Sequence, residues 1–152
     1  MATAPLRTPM HLWVVGVLSL LWNSFGAYDY SMTRMRNMDY LAGMSPPGVD
    51  PATMLAYIDG MPLYAQLGWG FGVWGALVGS IALLLRKRAA VWAFGVSIAG
   101  MILSFGYMFF GPPMPGSEAA GPMKYMPLII VLLGLAQFAY ARAAERKGLL
   151  SH

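Results

Sequence analysis

Four stretches of this chain carry no charged side chain: Thr8 to Tyr28, Gly60 to Leu85, Ala89 to Phe110 and Tyr125 to Ala141, of 21, 26, 22 and 17 residues. An α-helix rises about 1.5 Å per residue, so about 20 apolar residues cross the ~30 Å hydrocarbon core of a bilayer. Each stretch predicts a membrane span, the last one lengthened by snorkelling of Arg142. Proline at Pro9, Pro62 and Pro127 suits a first helical turn, where its missing N–H is not needed. Gly111-Pro112-Pro113 cannot continue a helix and ends the third span. The expected fold class is an all-α integral membrane protein with spans at about 9-28, 62-85, 89-110 and 126-143, an outer segment 29-61 carrying a short interfacial helix, and one membrane domain over 1-152. Arg7 before an apolar run could also open a secretory signal peptide. The run is long for that role and no A-x-A-like site follows it, so it is read as a span.

Composition narrows the function classes. Of 152 residues, 58% are apolar and only 11% charged, where a soluble domain carries roughly a quarter charged. The chain has no cysteine, which excludes disulfides, thiolate metal sites, iron–sulfur clusters and cysteine nucleophiles. The net charge of +4 in so apolar a chain speaks for membrane orientation, not nucleic-acid binding. Arg7, Arg86, Lys87, Arg88, Arg142, Arg146 and Lys147 fall on one side of four spans, and Arg34, Arg36 and Lys124 on the other. This bias predicts cytoplasmic N- and C-termini.

Between the first two spans, Tyr28 to Leu41 lacks Gly and Pro and is expected to continue the first helix outward, until Ser45-Pro46-Pro47-Gly48 stops it. Asp50 then reads as an N-cap with Pro51 at the first helical position, opening a short helix that Gly60 ends. The loop from Gly111 to Lys124 is rich in Gly and Pro and should be irregular.

Small residues form a repeated stripe. Gly68, Gly72, Gly75 and Gly79 recur at a 4-3-4 spacing, and Ala93, Ser97, Gly100 and Ser104 do the same. Such stripes let helices approach closely in lipid, and the three-residue turn Arg86-Lys87-Arg88 makes contact between spans two and three the first expectation. Asn23 and Gln137 are the amides deep in the spans, expected to be buried and to bond across helices. No Asp, Glu, Lys, Arg or His lies near the middle of a span, although proton relays and ion paths usually need one. His11 sits near a span end and reads as an interfacial polar residue. Serine-hydrolase, zinc-protease and phosphate-loop motifs are absent, so no enzyme is expected. Met32, Met35 and Met38 form an M-x-x-M-x-x-M series. Thioethers suit Cu(I), but without a nearby histidine these methionines read first as adaptable packing, with no metal and no cofactor.

The stretches Leu21-Trp22-Asn23-Ser24-Phe25-Gly26-Ala27, Gly72-Val73-Trp74-Gly75-Ala76-Leu77-Val78-Gly79-Ser80 and Leu83-Leu84-Leu85-Arg86-Lys87-Arg88 resemble a family of small four-span bacterial inner-membrane proteins of unassigned function. Some of its members are automatically labelled sugar transporter. The resemblance covers spans one to three best and implies a four-helix layout in the bacterial inner membrane. The expected function is a non-catalytic accessory or assembly subunit packed against a larger membrane complex of photosynthetic or respiratory type. Its partners would be membrane lipids, some of them bound, and other membrane subunits, with no nucleic acid. The alternative is a small-solute, sugar-like transporter acting as an oligomer.

Overall fold

The computed structural model describes residues 7–119 and 121–152. Six α-helices occur among them: α1 Met10–Arg34, α2 Met38–Met44, α3 Pro51–Asp59, α4 Leu63–Leu84, α5 Ala89–Phe110 and α6 Met126–Arg146, with a 3-10 turn at Gly121–Tyr125. No strand forms among the described residues. Four helices, α1, α4, α5 and α6, are long and apolar enough to cross a membrane.

The first helix and the segment beyond it depart from expectation. The chain from Tyr28 to Leu41 is not one helix. It breaks at Arg36, whose φ of +56° lies in the left-handed region. There Asn37 N–H donates to Met32 O and Arg36 N–H to Thr33 O, closing the last turn of α1. Asn37 then caps α2, its side-chain oxygen accepting from Tyr40 N–H at 3.0 Å. Two short helices therefore stand where one was expected. The second, α3, opens as the Asp50-Pro51 pair predicts, with Asp50 Oδ1 accepting from Ala52 N–H at 3.1 Å. The loop after α5 is irregular over residues 111–119, but Gly121–Tyr125 forms a 3-10 turn where an irregular loop was expected.

α4 and α5 form a hairpin across Arg86-Lys87-Arg88, α1 lies against α4, and α6 lies against α5. Large side chains pack at the end of the bundle that holds this turn. Leu12, Leu83, Val91, Phe94, Ala141 and Ala144 are buried together there with Leu149 and Leu150. The last two come from a tail that leaves α6 at Gly148, whose φ is +69°. Leu149 N–H donates to Ala144 O and Gly148 N–H to Glu145 O, a Schellman closure that turns the tail back onto the bundle.

Candidate functional site

Three of the buried polar residues in the long helices, Asn23, Ser80 and Gln137, converge on one point. Asn23 lies mid-way along α1 and is buried. Its Nδ2 donates to Ser80 Oγ at 2.8 Å, to Ala76 O at 3.1 Å and to Gln137 Oε1 at 3.3 Å. Ser80 O–H in turn donates to Ala76 O at 2.9 Å, so the hydroxyl and the amide share one carbonyl. The cluster thus joins α1, α4 and α6. Gln137 is the longest of the three contacts, and the main partners of Asn23 lie on α4. Ser80 was not singled out in the sequence. Its only signal is a place beside Gly79, one residue off the glycine stripe.

The glycine stripe of α4 faces α5. A Cβ at Gly68 would lie 2.7 Å from Gly100 O, and one at Gly75 would lie 3.0 Å from both Ala93 O and Ser97 N. At Gly79 it would meet the Phe94 ring at 2.7 Å. Gly72 is looser, with its nearest neighbour, Met101 N, at 3.5 Å. On α5, a Cβ at Gly100 would press into Gly68 O and Gly72 N. Ser97 O–H donates to Gly72 O at 2.6 Å, and Ser104 is buried beside Gly68. A hydroxyl bonding the facing backbone satisfies a polar group where no water reaches.

At the opposite end from the Arg86 turn, the segment 29–62 and the loop after α5 form one cap. Tyr40 O–H donates to Asp29 Oδ1 at 2.7 Å, with the Tyr28 ring edge-on to Tyr40. Burial and this carboxylate push the Tyr40 phenol's pKa up, so it keeps its proton and the bond persists through the neutral range. Arg36 Nη2 donates to both oxygens of Asp59 at 3.0 Å, and Arg34 Nη1 donates to Gln66 Oε1 at 3.2 Å. Tyr57 O–H donates to Pro112 O at 3.2 Å, and its pKa is raised by burial and by Tyr107. Gly116, with φ +75°, lies so close to Val49 and Pro46 that a side chain there would collide with both.

The methionine series is divided by the break in the chain. Met32 is in α1, Met35 follows its last residue and Met38 opens α2. Met35 and Met38 are exposed, and the three do not share one helical face. Among the described residues, no three His, Cys, Asp or Glu side chains gather as a metal site. His11 Nδ1 is hydrogen-bonded to the Tyr140 hydroxyl, a second link between α1 and α6.

The basic turn holds the returning tail. Arg88 N–H donates to Ser151 O at 2.8 Å and Ser151 N–H to Arg86 O at 2.6 Å. Arg86 Nε donates to Leu149 O at 3.2 Å, and Lys87 Nζ to His152 O at 3.0 Å. Sequence reasoning missed this contact, although an apolar pair directly after Gly148 is the pattern of a helix end folding back. No protein-family model matches the chain, and no curated protein or solved structure is similar to it, so any function must be argued from these residues.

Proposed function

We propose that this chain is a multi-pass protein of the bacterial inner membrane, with both termini cytoplasmic, acting as a non-catalytic accessory or assembly subunit of a larger membrane complex. One observation carries the reading. Asn23, Ser80, Gln137 and Ser97, four of the buried polar side chains of the long helices, bond to one another or to facing backbone. A solute path needs convergent polar groups turned toward an open cavity, and here these four make bonds that join helices.

Two further features support it. Leu128, Ile129, Leu132, Leu133 and Leu135 of α6 are exposed, an apolar surface that suits lipid or a neighbouring subunit. The cap made by α2, α3 and the loop after α5 is cross-linked by side chains, as a preformed docking face would be. The seven-to-three division of Lys and Arg supports the orientation.

The test is purification in mild detergent with identification of co-migrating proteins, in the natural chain and after deletion of residues 50–59. Defined membrane subunits in fixed stoichiometry, lost on deletion while the chain still inserts, are expected. A homo-oligomer alone, with solute uptake abolished by Asn23→Leu, would favour the transporter alternative. For orientation, a cysteine at position 87 should resist an impermeant thiol reagent added from outside.

A further inference from the structure

The exposed side of α6 changes character along its length. Arg142, Arg146 and Lys147 line a shallow depression of about 450 Å³ together with Phe138, Ala139 and Ala143. Farther along the same face, Val131 and Leu135 line a groove of about 250 Å³ against α5, whose wall includes Ile98, Met101 and Phe105. Phe138 connects the two, since it lies against Gly95, one helical turn before Ile98. The two depressions follow one another along α6, the first edged by three cations and the second lined by apolar side chains, with Phe138 between them; together they form a furrow.

We propose that this furrow binds one anionic phospholipid, its phosphate on Arg142, Arg146 and Lys147 and one acyl chain running past Phe138 toward Leu135 and Val131. The inference rests on the membrane reading above. Charge identifies the headgroup. Arg142 shares its guanidinium with Glu145 at 3.3 Å, while Arg146 and Lys147 form no ion pair among the described residues. The three cations therefore outnumber the one carboxylate beside them.

Length identifies the tail. Leu135 and Val131 lie 7 and 11 residues before Arg142, or about 10 and 16 Å along a helix. One leaflet of hydrocarbon is about 15 Å deep. A chain anchored at the arginines thus passes Leu135, enters the cleft against Ile98 and Met101, and ends near Val131. Clusters of Lys and Arg at the cytoplasmic end of a span are suited to anionic headgroups.

The full chain, purified in mild detergent, is offered equal phosphatidylglycerol and phosphatidylcholine, and retained lipid is counted by native mass spectrometry. Phosphatidylglycerol should be preferred, and each cation removed should lower that preference roughly fivefold, reaching parity in the Arg142→Gln, Arg146→Gln, Lys147→Gln triple variant. Ala139 is exposed, so Ala139→Trp fills the furrow without disturbing the bundle and should reduce retention of phosphatidylglycerol. Lys87→Gln, at the same end but outside the furrow, should leave the preference intact.

Parity in the natural chain, or an undiminished preference in the triple variant, overturns the site. Displacement of lipid by inorganic phosphate, with no effect of Ala139→Trp, also overturns it in favour of a free-anion site. Alkaline extraction separates the two failures. A chain released in soluble form sinks the membrane reading and this proposal together; a chain that stays in the membrane yet shows parity sinks this proposal alone.

Discussion

The two interfaces made by α5 are built on opposite principles. Toward α4, glycine and serine let backbones meet: Gly68, Gly75 and Gly100 leave no room even for a methyl group, and Ser97 bonds directly to Gly72 O. Toward α6, bulky Met101, Phe105 and Phe138 hold the helices apart and leave a groove of about 250 Å³. In a hydrocarbon solvent, apolar burial gives helices little reason to associate, so contact strength follows closeness of packing and hydrogen bonding. The α4–α5 pair is accordingly the rigid unit. α6 is held at points, by Gly134 under Met101, by Gln137 on Asn23 and by His11 on Tyr140, and most of its surface remains available to something else.

The largest effect that would break this contrast is expected from Gly100→Leu. The new side chain must displace Gly68 O and Gly72 N, which are backbone atoms of a helix and cannot move aside. Overpacking of this kind typically costs about 1–3 kcal/mol, and this position should fall at the upper end. Thermal unfolding in detergent measures it; an unchanged transition would show that the hairpin is not closed at that position.

Gly134→Leu probes the looser interface. A Cβ there would lie 2.6 Å from Met101 Cε, the tip of a flexible side chain. Because that tip can swing aside, the loss should be about 1 kcal/mol, at the low end of the overpacking range. A loss matching that of Gly100→Leu in the same assay would erase the distinction between the interfaces.

Asn23→Leu removes the donor to Ser80, Ala76 and Gln137. Interhelical hydrogen bonds in membranes contribute about 0.6 kcal/mol on average, so a loss near 1 kcal/mol is expected. Combined with Gln137→Leu the loss should be less than additive, which a double-mutant cycle reads directly.

The smallest effect is expected at Gly106, where a Cβ meets nothing within 4 Å although the residue lines the α5–α6 groove. Gly106→Ala should shift stability by no more than about 1 kcal/mol, toward greater stability, because alanine favours the helix. A marked destabilisation would mean that the groove is closed in the membrane.

The four long helices were legible because an uncharged run is a local property. The observed limits of α4 and α5 fall within a residue or so of the expected ones, while α1 runs on to Arg34 and α6 to Arg146. Helix lengths beyond the apolar run depend on capping. At Arg36 the break has no glycine to announce it, since the left-handed position is held by an arginine whose guanidinium meets Asp59 from another helix. The Asp50-Pro51 start of α3 was readable because cap and helix are neighbours in sequence.

What the sequence by itself determined is therefore what neighbours in the chain decide: the apolar runs, the stripe of small residues and the three-residue turn that sets α4 beside α5. What only the tertiary structure decided is which distant groups meet. Asn23 takes Ser80 and the Ala76 carbonyl as well as Gln137; Leu149 and Leu150 return to the basic turn; α6 stands off from α5 far enough to leave a groove. The physical reason is that an amide, a leucine pair or a methionine fits many partners equally well in isolation. Only the distance between backbones, set by the whole bundle, selects one.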